Sequence, residues 1–244
     1  MYIINKNVLH KCIKNGLYMP FIYALLLYFT RDVYLSTIFI FKLNTLNHFI
    51  WFEHCYTYLP SPFNMLKQFV RFTDSGFIAS MIYYIYPPFF PIAHNVHFAI
   101  SIGYWYGKFV CNIPDADDIQ NTEIIKWNEY AWAYMNHIVP YVMLVYRHYS
   151  MHTVHLTVES DMIVSLTDQC SVSTYFSVYD LLYSFAWLHG WFLYIYVPWR
   201  TLTNDSVYTV FDIHVPFILK TICITVIHAI VAIGNAIGYI LMRI

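Results

Sequence analysis

Long apolar stretches recur along this chain, and seven of its twelve histidines lie in them or at their edges. His48 and His54 fall in one stretch, His94 and His97 in another, and His137, His189 and His228 in three more. An imidazole in hydrocarbon loses its hydration and must find a partner, so such placement costs stability. The pattern restricts the chain to a helical fold whose polar groups face one another, with a pathway, a metal or a reaction centre inside it. In a bilayer core every backbone polar group must bond within its own segment or a closed barrel.

Only 11% of the 244 residues are charged and 59% are hydrophobic, against roughly a quarter charged in soluble domains. The 24 tyrosines and seven tryptophans suit membrane interfaces. A net charge of −1 leaves no basic field, which excludes nucleic acid as a partner. Five scattered cysteines (Cys12, Cys55, Cys111, Cys170, Cys223) show no ligand spacing and no disulfide framework. Lys6, Lys11 and Lys14 precede an apolar run with no small-x-small cleavage site, which reads as an uncleaved first helix.

A helix needs about 20 mostly apolar residues to cross a bilayer. Candidate spans are Ile13–Phe29, Tyr34–Leu59 (closed by Pro60-Ser61-Pro62), Tyr130–Tyr146, Tyr175–Val197 and Thr221–Met242. Gly76–Val110 is too long for one span. Pro87, Pro88 and Pro91 divide it into a kinked helix or a span with a half-buried return. An acidic loop, Pro114–Glu123, follows it, and His148–Thr174 is polar enough for a loop. The expected fold is therefore all-α, a polytopic membrane bundle of five or six transmembrane helices forming one domain over residues 1–244. With six spans both termini share one side. The lysine and arginine distribution and the lone sequon Asn204-Asp205-Ser206 favour a cytoplasmic side for them. The bilayer is then the first partner, in the endomembrane system (the endoplasmic reticulum) or the plasma membrane.

Several residues carry possible chemistry. His137, in Met135-Asn136-His137-Ile138-Val139-Pro140, is placed to act as a general base or to bond a neighbouring helix. Thr45 lies three residues before His48, on one helical face. Its hydroxyl either bonds its own i−4 carbonyl or, with a base nearby, serves as a nucleophile for acyl transfer on a fatty substrate. Asn44, Asn47 and His48 are the nearby hydrogen-bond donors for an oxyanion. Trp187 and Trp191 belong to an aromatic cluster that forms an interfacial belt or lines an acyl-chain cavity. Asp180 pairs helices or orients His189. His94-Asn95-Val96-His97 and the HxxxHxxH of His148, His152 and His155 raise a di-iron oxygenase or desaturase reading. No HisHis pair occurs, so no metal or other cofactor is assigned.

Three groups of residues together carry a family resemblance. They are Phe41-Lys42-x-x-Thr45, the histidine shortly before Pro140, and Trp187…Gly190-Trp191…Tyr194…Pro198. In this order, over roughly residues 10–242, the chain resembles the androgen-induced protein family, to which the androgen-dependent regulator of tissue factor pathway inhibitor belongs. Asp74, which opens the third span, and Arg147, seven residues after Pro140, fit the same pattern. The resemblance implies a multi-pass membrane hydrolase with a threonine nucleophile and a histidine, matched here by Thr45 and His137. It implies lipid ester substrates, fatty acids esterified to hydroxy fatty acids. The chain departs from the family where one His replaces Asn-His-x-x-His-Thr, where Asn44 replaces an apolar residue, and where HisHis-x-Tyr-Pro is missing. A transporter or channel, and a purely structural membrane protein, remain open on the residues alone.

Overall fold

A computed structural model describes residues 13, 16–51, 66, 69–110, 136–159, 176–204, 207–211 and 214–243. Among them there is no strand. The helices are α1 (Met19–Thr30), α2 (Val33–Trp51), α3 (Phe72–Ile85), α4 (Phe90–Phe109), α5 (Val139–Glu159), α6 (Val178–Trp191), α7 (Val197–Thr203) and α8 (Phe217–Leu241).

Local chemistry explains the breaks. Arg31 ends α1 in the left-handed region at φ 53°. Asp32 then starts α2, its Oδ1 accepting from the Leu35 backbone N–H at 2.9 Å. Pro87 and Pro88 supply no N–H and disfavour helix before them, so Gly76–Val110 becomes two helices joined by a 3-10 turn at Pro87–Phe89. Ser177 and Asp180 form a capping box at the start of α6, where Ser177 N–H donates to Asp180 Oδ2 at 2.7 Å. Asp180 thus serves as a cap and does not orient His189. A π-helical turn at Phe192–Tyr196 joins α6 to α7 directly before Pro198, which has no N–H to return to the Tyr194 carbonyl.

Cross-helix contacts set the order. Tyr34 Oη donates to the Ser80 carbonyl, and further down Lys42 meets Asp74, so α2 and α3 are antiparallel. His97 meets Ser80 while Tyr83 packs on Phe90, so α3 and α4 form a hairpin. Tyr141 meets His94, and His148 lies on Phe90, which reverses α5 against α4. Trp191 bonds Val70 while Phe176 packs on Phe90, and Asn235 reaches the Phe176 carbonyl. With α6 and α7 taken as one leg, the described chain makes seven alternating passes. The first described helix starts at the end opposite the one where α8 finishes, because the proline break adds a leg; the termini themselves, expected on one side, lie outside the described residues. The polar stretch after His148 also differs from the expected loop, since α5 continues to Glu159.

Many polar side chains share the interior with the apolar core. Asn44, Asn47, Asp74, Ser80, His94, Asn95, His97, His148, Ser184 and Asn235 are all buried. Large apolar side chains stand outside, with Phe217 83% and Leu202 84% exposed. Contiguous apolar surface on this scale needs a covering phase. Among the described helices α8 alone is long and apolar enough to cross a membrane, while Met19–Thr30 and Val33–Asn44 are shorter apolar segments.

Candidate functional site

At one end of the bundle a buried carboxylate ties α2 to the start of α3. Asp74, 1% exposed, accepts from Lys42 Nζ at 2.6 Å on one oxygen and from Arg71 Nε at 3.1 Å on the other. Its place in the first turn of α3 also complements the helix dipole. Lys42 rests over the Phe69 ring.

One helical turn beyond Lys42 lies Thr45. The side chains of Thr45 and His48 fall outside the described residues, but the α2 backbone that carries them is described. Asn44 and Asn47 are buried beside them. Tyr18 Oη donates to Asn47 Oδ1 at 2.9 Å, and Gly16, at φ 66°, brings the chain against both asparagines.

His137 reaches the same end by a different route. The Gly76 turn of α3 faces His97 and Ile100, so the later half of α4 lies beside the start of α3. There Tyr104 stacks on the His137 ring, with centroids 3.5 Å apart, and Ser101 Oγ donates to the His137 carbonyl. His137 is helical and sits just before α5, separated from it by a turn at Ile138; residues 130–135 of the expected span lie outside the described residues. Pro140 falls in the first turn of α5, where proline is accommodated.

Trp187 and Trp191 line one groove of about 500 Å³ between α3, the start of α4 and α6, together with Ser75, Ile78, Phe89 and Ile195. The wall is apolar almost throughout. Trp191 Nε1 donates to the Val70 carbonyl at 2.9 Å, and Trp187 packs on Phe89. The Trp191 end of the groove therefore abuts the start of α3, where Ser75 follows the Asp74 clamp. Nearby, the Phe72 N–H donates to Tyr208 Oη at 2.7 Å, and burial pushes the Tyr208 phenol well above its usual range.

Two polar assemblies in the middle of the bundle were not read from the sequence. Ser80 Oγ lies 2.6 Å from His97 Nε2, both side chains fully enclosed, and the imidazole also bonds the Gly76 backbone. The approach is close, since a Cβ on Gly76 would stand 2.5 Å from Ile100 Cδ1 and 3.1 Å from His97 Cε1. The available signal was the proline turn, because a hairpin closed at Pro87–Phe89 brings together residues at similar distances on either side, as Ser80 and His97 are. In the second assembly His94 Nε2 meets Tyr141 Oη at 2.9 Å. Asn95 Nδ2 donates to Ser184 Oγ and Asn235 Oδ1, both at 2.9 Å. Asn235 Nδ2 in turn donates to the Phe176 carbonyl. This chain joins α4, α5, α6 and α8 with its polar groups satisfied by one another.

The imidazoles of His94-Asn95-Val96-His97 thus turn to different neighbours, α5 and α3, and not to one shared point. His148 stacks on Phe90, and the side chains of His152 and His155 lie outside the described residues. Among the described residues no three potential metal ligands converge.

Fold and interior together define a class: among the described residues, a helical bundle with exposed apolar side chains, an apolar core crossed by buried polar networks, and an open apolar groove. Against known protein families, curated proteins and solved structures, the chain finds no match.

Proposed function

We propose that this chain is a membrane-embedded hydrolase of lipid esters, with Thr45 as nucleophile and His137 as base. The observation that carries the reading is the groove containing Trp187 and Trp191. It offers an apolar path for an acyl chain and ends near the bundle end that bears the Lys42–Thr45 turn and His137. The many exposed apolar side chains and the apolar length of α8 support the bilayer as its surroundings, in an endomembrane or the plasma membrane.

In the proposed reaction Thr45 Oγ attacks the ester carbonyl carbon while His137 takes the hydroxyl proton. The tetrahedral intermediate collapses, the C–O bond breaks, and His137 returns the proton to the departing alcohol. Water then attacks the acyl-threonine and releases the fatty acid. Asn44, Asn47 and His48 are the candidate donors to the oxyanion. Fatty acid esters of hydroxy fatty acids are the proposed substrates, on the strength of the family resemblance.

A second assignment of the same chemistry is favoured by one distance. Ser80 and His97 already form a hydroxyl–imidazole pair at 2.6 Å, with the ring held by the Gly76 backbone. Their full enclosure argues for a structural pair, because an ester would have to part α3 from α4 to reach Ser80. A transporter is less well supported, since the central polar groups close on one another and do not form a continuous path.

The deciding experiment is covalent labelling of the purified chain by a fluorophosphonate carrying a long acyl tail. Wild type should label, and Thr45→Ala and His137→Ala should each abolish labelling while Ser80→Ala retains it. Loss with Ser80→Ala and His97→Ala alone would move the reaction to the second pair. A folded wild type that does not label would remove the hydrolase reading altogether.

A further inference from the structure

The end of the bundle opposite the Asp74 clamp carries a second, polar cleft of about 240 Å³ between the α1–α2 turn and α5. Arg31, Asp32, Tyr34, Arg147 and Ser150 line it. Asp32 is fully engaged: Oδ1 accepts from Leu35 N–H at 2.9 Å and Oδ2 from Arg147 at 2.7 Å. The Arg147 guanidinium is held over two rings, 5.1 Å from the Tyr34 centroid and 4.7 Å from that of Tyr84. One of its nitrogens is spent on Asp32, and a guanidinium carries five donors in a rigid fork.

Arg31 has no such arrangement. Its side chain makes no ion pair or hydrogen bond among the described residues. The backbone holds it at φ 53°, in the left-handed region that non-glycine residues seldom occupy. Two guanidiniums and one carboxylate leave the cleft with one uncompensated positive charge. The start of α2 lies beside it, with its Tyr34 and Leu35 N–H groups already bonded to Asp32. The rim is apolar: Val33, Met143 and the outward-facing Tyr146 border the cleft, and Tyr28 and Phe29 stand exposed on the preceding turn of α1. A ligand suited to this surface has a singly charged anionic head and apolar tails.

We propose that this cleft binds the phosphate of an anionic phospholipid between Arg31 and Arg147. The monoanionic phosphodiester neutralises the spare charge, and the acyl chains lie along Val33 and Tyr146. Basic pockets between helices near a membrane surface recognise head groups in this way, each arginine adding roughly 1 kcal/mol, or about fivefold in affinity. The site rests on the membrane-embedded reading and is independent of the hydrolase reading.

The test is titration of the full-length purified chain, in neutral detergent micelles, with short-chain fluorescent phosphatidylglycerol and phosphatidylcholine. Wild type should favour phosphatidylglycerol at least about fivefold, and Arg31→Gln should remove that preference. Asp32→Asn keeps a residue that caps α2 equally well and deletes the competing carboxylate, so it should raise phosphatidylglycerol affinity by about fivefold. A gain cannot come from misfolding, so the opposite signs of the two variants carry the proof. Equal binding of both lipids by wild type would overturn the site, as would an unchanged preference in Arg31→Gln. Binding of inorganic phosphate at millimolar concentration without any preference for phosphatidylglycerol would overturn the lipid as its source.

Discussion

Asp74→Asn isolates the clamp that positions the Thr45 turn of α2. The substitution keeps the shape of the side chain and removes its charge. One oxygen still accepts a hydrogen bond, but the amide N–H₂ that replaces the other must face a donor, either Lys42 Nζ or Arg71 Nε. Breaking a buried ion pair from one side costs about 3–5 kcal/mol. Lys42 and Arg71 remain 28% and 20% exposed and regain some hydration, which places the expected loss near the lower bound, about 3 kcal/mol. Lys42→Met leaves Asp74 paired to Arg71 and should cost less, about 1–2 kcal/mol. The double variant should then lose about 1 kcal/mol less than the sum of the two single losses. Unfolding in mixed micelles against rising sodium dodecyl sulfate, followed by far-UV circular dichroism, measures all three. A loss below about 1 kcal/mol for Asp74→Asn, or strict additivity, would refute the clamp.

Other expectations follow from the packing and from the ion pair at the opposite end. Gly238→Ala should destabilise the bundle by about 1–3 kcal/mol, because its Cβ would stand 2.2 Å from Phe176 Cε1; thermal unfolding measures it. Burial alone would raise the Asp32 carboxyl, but the Leu35 N–H and Arg147 outweigh it and hold the group below its usual 3.8. Stability from this pair is therefore fully present above pH 3.8 and is lost as pH falls through the lowered value. Unfolding curves between pH 7 and 2 should show that acid-side loss in wild type and less of it in Arg147→Met. Trp191→Phe removes the donor to the Val70 carbonyl and should cost about 1 kcal/mol, read as a lower unfolding midpoint.

The sequence showed the helices more readily than their partners. Apolar length and proline position marked α1, α2, α6 and α8, and Pro87-Pro88 marked a break whose consequence, a hairpin, needed three dimensions. The continuation of α5 past His148 was hidden because its polar residues looked like a loop, although a helix can carry them where neighbours or solvent bond them. Asn95 and Asn235 were invisible for a related reason: each is a lone amide in an apolar run, and their meeting depends on α4 crossing α8 at one level. Gly234 allows that crossing, since a Cβ there would stand 2.8 Å from the Phe98 ring. Trp187 and Trp191 were legible as an aromatic cluster and prove to share a groove. Thr45 and His137 were singled out by residue type and resemblance, and the antiparallel order brings their stretches of backbone to one end.

That order also separates the tasks of the bundle along its length. The central amides and imidazoles bond across five helices, α3, α4, α5, α6 and α8, and the cost of leaving any one of them unpaired in an apolar medium fixes the register of those helices. With the middle held, the two ends are free to carry unlike chemistry. One end joins Lys42, Asp74 and Arg71 beside the groove, where a carboxylate between two cations sets the turn of α2. The other joins Arg31, Asp32 and Arg147, where a single carboxylate leaves one guanidinium facing outward. A carboxylate serves as an anchor in both places, but at the first both cations touch it, whereas at the second Arg31 does not. The proposed ester chemistry is therefore best sought at the end that carries Lys42 and His137, toward which the groove runs, and the proposed head-group recognition where α1 turns into α2.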